Sequence, residues 1–181
     1  MLNYKDITQE FKRKSKKKNA EVIERKFVRI NGVTYKKNEI RVNSDENIPK
    51  IAHWLKNTFG GKIFINPEVK GENAPRSADL NFRNQKWEIK KPIGRTKNTI
   101  DNNIKLGKGQ ANNFLIDISN STLTFGEGIN QLKKVYKNPK RQYVNKVILR
   151  KGKQYIVIQK KIRHRLILAN AIWKRLCLIY I

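Results

Sequence analysis

An α+β fold, an α/β sandwich built as helix, three-strand meander, helix and strand, is predicted from three observations. Apolar residues at helical spacing stop at the pair Gly60-Gly61, three short runs of β-formers follow before Pro92, and a second helical segment precedes the apolar run Phe114 to Ile118. A length of 181 residues suits one domain with extensions, and 38% hydrophobic content is sufficient for one core.

Residues 1–43 read as a basic N-terminal extension with a hairpin. Lys12-Arg-Lys-Ser-Lys-Lys-Lys18 has no apolar residue, the pattern of a solvated arm that adds nonspecific affinity. Phe27 to Tyr35 places two runs of β-formers about an Asn31-Gly32 turn. The compact domain is placed at 44–160. Ser44 or Asn47 can cap a helix starting near Pro49, whose buried face is Ile51, Trp54, Leu55 and Phe59. Lys62 to Asn66, Ala78 to Phe82 and Lys86 to Lys91 form the meander, with Arg83-Asn-Gln85 as its tight connection. Asn98, Ile100, Ile104 and Ala111 mark the second helix, weakened by Gly107 and Gly109. Gly126 to Tyr136 suits another helix, and Lys146 to Arg150 with Tyr155 to Gln159 a C-terminal β-hairpin. Residues 161–181 read as a basic amphipathic segment.

Charge bounds the function. With 41 Lys+Arg against 14 Asp+Glu, the net charge is +27, a field that steers the chain onto polyanions and makes binding salt-dependent. Nucleic acid is the expected partner; a packaging or ribosomal role, or an acidic protein partner, uses the same charge without catalysis. The single cysteine, Cys177, excludes an internal disulfide framework and a multi-cysteine zinc site. Met1 to Glu10 lacks the pattern of a secretory signal, and Ile162 to Ile181 is interrupted by five basic residues where a spanning helix needs roughly 20 mostly apolar ones. A cytoplasmic site of action is expected, without a membrane span.

Against this background the scarce acids stand out. Residues two apart on a strand share a face, so Glu88 and Lys90 point the same way, and Asp79 on the antiparallel neighbour reaches that face. Asp79 and Glu88 can hold Mg2+ or another divalent cation and leave positions for water and a phosphate oxygen, while Lys90 orients the attacking water or balances developing charge. Lys91, Arg95, Thr96 and Lys97 form a flexible cationic loop suited to a phosphate backbone.

Helix, meander with Asp79 on its second strand and Glu88-Ile-Lys90 on its third, helix and strand together resemble the PD-(D/E)XK nuclease superfamily over Asn47 to Ser119. Ala78 stands where that name has proline. More narrowly, Ala78-Asp79, Trp87-Glu-Ile-Lys-Lys-Pro92, Asn98-Thr-Ile100 and Gln110-Ala-Asn-Asn-Phe-Leu-Ile-Asp-Ile118 resemble the C-terminal nuclease domains of contact-dependent growth-inhibition and related polymorphic toxins. The resemblance implies an endonuclease acting on transfer RNA or DNA, RNA being favoured, delivered from another cell or mobile element and neutralised by an acidic immunity protein. It also gives Gln110 a place in the catalytic set and Thr99 a phosphate contact. One alternative is a metal-independent RNase of the barnase, EndoU, colicin or RelE type, using Lys90, Thr99 and His53; another is a noncatalytic binding protein on a degenerate nuclease fold.

Plainer readings stand beside these. Exposed acid–lysine pairs are worth about 0–1 kcal/mol and are common. Gln110 near a helix end can be a cap, and Thr99 is more simply a helix start. Trp87, on the other face of its strand from Glu88, reads as core. Asp117 in an apolar strand needs a partner or joins the site as a third acid. His53 and His164 are too far apart in sequence for a metal motif.

Overall fold

The computed structural model describes residues 3–13, 16–36, 38–41 and 47–161, with backbone only for 16–18. In chain order the elements are β1 (Tyr4–Asp6), α1 (Thr8–Arg13), β2 (Lys16–Glu24), β3 (Val28–Ile30), β4 (Val33–Tyr35), β5 (Ile40–Arg41) and α2 (Asn47–Phe59). They continue with β6 (Gly60–Ile65), β7 (Glu68–Val69), β8 (Leu80–Phe82), β9 (Gln85–Lys90), α3 (Thr99–Leu106) and β10 (Asn113–Asp117). Last come α4 (Phe125–Lys137), a 3-10 turn (Pro139–Arg141), β11 (Lys146–Lys151) and β12 (Gln154–Lys160). Ser44 as a cap, His164, Cys177 and the segment from 162 onward lie outside the described residues.

Eight strands make one mixed sheet in the order β1-β12-β11-β10-β9-β8-β6-β2. The expected meander is its middle: β6, β8 and β9 are antiparallel neighbours. The β8–β9 connection turns at Arg83 and Asn84, with φ of 53° and 58°, the left-handed pair that a two-residue hairpin of the right twist requires. From β9 the chain crosses through α3 to β10, parallel to β9, and through α4 to β11, parallel to β10. Such crossovers place both helices against the sheet.

Period-2 alternation then divides the core. On one face α1 and α2 pack Phe11, Ile51, Leu55 and Phe59 against Ile63, Leu80, Trp87, Ile89 and Leu115. On the other, α3 and α4 pack Ile100, Ile104, Leu132 and Val135 against Phe114, Ile116, Val147 and Leu149. The result is a three-layer α+β sandwich. Helix α4 carries a full capping box, Thr124 Oγ1 accepting from Glu127 N while Glu127 Oε2 accepts from Thr124 N at 2.7 Å.

The basic N-terminal stretch differs from its expected form. Strands β1 and β2 enter the main sheet: β1 pairs antiparallel with β12 at one edge and β2 parallel with β6 at the other. Phe11 of α1 packs edge-on against Phe59, with ring centroids 5.0 Å apart. The Asn31-Gly32 hairpin forms as expected from β3 and β4, and Val28 and Ile30 share a small satellite core with Ile40.

Candidate nucleic-acid-cleaving site

Glu88 is placed by alternation on a face where its neighbours are apolar. The β9–β10 register sets Phe114 beside Glu88 and Ile116 beside Lys90, so both charged side chains lie on the α3 face, while Trp87 and Ile89 fill the α2 face. Trp87 is core, as expected, and its Nε1 donates to Phe82 O at 3.2 Å. The β8–β9 register pairs Leu80 with Trp87. One step further it brings Asp79 opposite Glu88, and Asp79 Oδ2 accepts from Ile89 N at 2.7 Å.

These placements make a compact charged group. Lys90 Nζ donates to Glu88 Oε1 at 2.6 Å, with the lysine side chain 21% exposed and the glutamate 2%. Glu88 Oε2 is buried and has no hydrogen-bond partner. Burial, then the negative charge of Asp79, push the Glu88 carboxyl up to about 7, against the downward pull of Lys90 and the Asp79 backbone. A buried carboxylate oxygen without a hydrogen-bond partner, in a carboxyl that feels the charge of Asp79, is an atom that a cation would satisfy. Two oxygen-donor groups match a hard divalent ion that keeps water in its remaining positions, with the Lys90 ammonium beside them rather than among the ligands. Among the described residues no group of three or more His, Cys, Asp or Glu side chains that could hold a metal ion occurs.

Helix α3 closes over this group at Gly107, whose φ of −86° any residue could adopt. Space is the constraint: a Cβ there would lie 2.7 Å from Phe114 Cε1 and 3.0 Å from Glu88 Cγ. Gly107→Ala removes about 0.4–1 kcal/mol of unfolded-chain entropy, but overpacking costs about 1–3 kcal/mol, so the clash wins. The variant is expected to be destabilised in denaturant titration, because Phe114 and Glu88 must shift to admit the methyl group.

The remaining expected residues divide. Gln110 follows α3 and donates through Nε2 to Ser77 O at 3.3 Å, bracing the segment that leads into Asp79. Thr99 is buried; its Oγ1 accepts from Thr96 N at 2.8 Å and lies 3.0 Å from Thr96 O, so the hydroxyl shapes the loop end. Arg95, Thr96 and Lys97 are exposed and Lys91 half-buried. Their loop is tied down at several points. Gln131 Nε2 donates to Thr96 O at 2.8 Å while its Oε1 accepts from Ile100 N at 3.0 Å, and Ser121 Oγ donates to Gly94 O at 2.8 Å. Arg95 Nη2 meets Glu127 Oε1 at 2.8 Å, and that guanidinium, with the Thr124 backbone, holds the Glu127 carboxyl down to about 2.

Asp117 sits with Leu115 on the α2 face, opposite to Glu88, and pairs with Arg150 Nη1 at 3.3 Å and with Ser119. It is no third acid. His53 is exposed on α2, across the sheet from Lys90. The sequence reading missed Gln131 and the close approach at Gly107; the only signal was a polar residue on the apolar stripe of α4.

Comparison with known proteins bears on this region. Residues 76–155, which hold β8 to β11 and both crossover helices, match the family model described as contact-dependent growth inhibition CdiA C-terminal domain. None of the curated proteins matches. Among solved structures, a chain of the CdiA-CT/CdiI toxin and immunity complex from Burkholderia pseudomallei superposes with a TM-score of 0.51 at 21% identity, covering 77% of this chain and 98% of that one. The protein therefore has the α+β fold of a chain in that toxin–immunity complex.

Proposed function

We propose that this chain is a toxin-like endonuclease that hydrolyses phosphodiester bonds of nucleic acid, transfer RNA being the favoured substrate, through a PD-(D/E)XK-type site formed by Asp79, Glu88 and Lys90. The observation that carries the reading is the buried, unpartnered Glu88 Oε2 beside Asp79, with Lys90 Nζ 2.6 Å from the other oxygen. The Arg141–Asp101 pair also leaves a buried carboxylate oxygen unpartnered, so what sets Glu88 apart is the charge of Asp79 acting on its buried carboxyl beside Lys90. The match of residues 76–155 and the shared fold support a toxin.

In this reading Asp79 and Glu88 hold a divalent cation. Such an ion supplies Lewis-acid polarisation of the phosphate and a more acidic water. The chain's own groups do the rest. Lys90, fixed by Glu88, holds the attacking water in line or balances charge on the phosphate oxygens as the water O–P bond forms and the leaving O–P bond breaks. Lys91, Arg95 and Lys97, on a loop pinned by Gln131, grip adjacent phosphates, and Gln110 keeps the Asp79 segment in place. The net charge of +27 favours an acidic immunity protein, and the site of action is the cytoplasm of a target cell.

A cleavage assay tests this on total transfer RNA and on plasmid DNA, each with Mg2+ or Mn2+ and with EDTA. Metal-dependent cutting of RNA is the expected result. Cutting that persists in EDTA overturns the two-carboxylate mechanism, and tight binding with no cutting of either substrate overturns the enzyme.

A further inference from the structure

A second cationic depression lies apart from Asp79, Glu88 and Lys90. It is a cleft of about 500 Å³ where α4 ends, the 3-10 turn begins and β12 runs out. Lys137, Arg141, Lys160 and Lys161 line it with Asn138 and Asn145, and among the described residues no acidic side chain lines it. Of its four cations only Arg141 makes an ion pair among the described residues, to Asp101 at 2.8 Å; Lys160 Nζ leans on a neutral carbonyl, Gln142 O, at 2.6 Å. The C-terminus of α4 brings about half a negative charge, too little to balance this set. No Asp or Glu follows Glu127 in the sequence.

Hydrogen bonds link the lining of the cleft to the segment that leads into Asp79. Gln110 touches Ser77 O, and a shallower depression of about 350 Å³ runs from Gln110 past Asn112 and Asn113. Asn145 N donates to Asn112 O at 2.8 Å and Asn145 Nδ2 to Asn113 Oδ1 at 3.3 Å, joining that depression to the cleft. The path crosses from β9 to β12, three strand spacings or about 14 Å, a few nucleotides of single strand. Amide side chains without fixed charge suit the sugars and bases between two phosphate-gripping ends.

We propose that this cleft is a second phosphate-contacting site, which holds the same nucleic-acid strand a few nucleotides from the bond that is cut. The proposal rests on the nuclease reading for the identity of its polyanion. It explains why the cations continue along the sheet beyond the loop at 91–97.

The test uses Lys137→Ala/Lys161→Ala, two exposed side chains with no hydrogen bond or ion pair among the described residues, in the full chain. Binding is measured on an Asp79→Asn background by fluorescence anisotropy against transfer RNA and against poly-L-glutamate, over a range of salt. The dissociation constant for RNA should rise about tenfold at low salt, and the slope of its logarithm against that of salt should fall by about 1.4–1.8. In the cutting-competent background KM for transfer RNA should rise with kcat kept, while cleavage of a trinucleotide, too short to reach the cleft, stays the same. An unchanged salt slope overturns the proposal. Weakened binding of polyglutamate with unchanged RNA binding assigns the cleft to an acidic protein and also overturns it. A reduced slope in a chain that cuts nothing keeps the cleft and sinks only the nuclease reading.

Discussion

Replacing Asp79 with asparagine is expected to slow cleavage by about 10³-fold, equivalent to about 4 kcal/mol of transition-state stabilisation, with little change in nucleic-acid affinity. The change isolates charge from structure. Asparagine keeps an oxygen to accept from Ile89 N, now at 2.7 Å from Asp79 Oδ2, whereas alanine leaves that buried donor unsatisfied at a cost of about 1–3 kcal/mol. Affinity is expected to hold because the proposed function assigns the phosphate contacts to Lys91, Arg95, Lys97 and the rest of a surface at +27. Lys90→Met is expected to lose as much activity by a double route. It removes the cation at the site and also the donor that draws the Glu88 carboxyl down, so Glu88 takes up a proton more readily at neutral pH. A paired measurement of cleavage rate and dissociation constant at pH 8 checks both variants. If Asp79→Asn cuts within about tenfold of the parent, the carboxylate is not part of the reaction and Glu88–Lys90 is a structural, largely buried ion pair.

The parts of this fold that were legible in the sequence are the ones where one face must be apolar. Trp87 and Ile89 alternate with Glu88 and Lys90, and Ile51, Leu55 and Phe59 repeat at helical spacing, so the meander, α2 and the parallel strand β10 could be placed from pattern alone. The same alternation brought Asp79, Glu88 and Lys90 together before any coordinates. What escaped lies at the sheet's two edges. Strand β2 begins with three lysines and β1 has three residues, and an edge strand has little apolar face to advertise, since charge there guards against pairing with other chains. The pinned loop escaped for a different reason. Gln131 is 31 residues from Ile100 and 35 from Thr96, so its two hydrogen bonds exist only once α4 lies beside α3. Gly107 was legible as a helix breaker but not as the one residue small enough to sit over Glu88 Cγ.

Glu88→Gln is expected to be inactive and yet more stable than the parent in EDTA above pH 7. The sign follows from the raised carboxyl. In the folded chain Glu88 holds its proton up to about 7, while in the unfolded chain it releases it near 4.5, so between these values folding takes up a proton. Stability from this group is therefore fully present below about 4.5 and is lost as pH rises through about 7. Glutamine does not titrate, still offers an oxygen to Lys90, and escapes the loss, which is on the order of 1–3 kcal/mol. That corresponds to a melting temperature several degrees above the parent's at pH 8, with the difference shrinking towards pH 4.5. Divalent cation should reverse the order. An ion bound only by the parent stabilises it by about 2.7 kcal/mol at a concentration 100 times its dissociation constant, while the glutamine variant gains far less. Thermal melts of both proteins at pH 5 and pH 8, in EDTA and in Mg2+ or Mn2+, separate these terms without any substrate. Equal melting temperatures at pH 8 in EDTA would mean that Glu88 is not strained by its burial. A parent that gains nothing from the cation would remove the metal from the site while leaving the proton linkage intact.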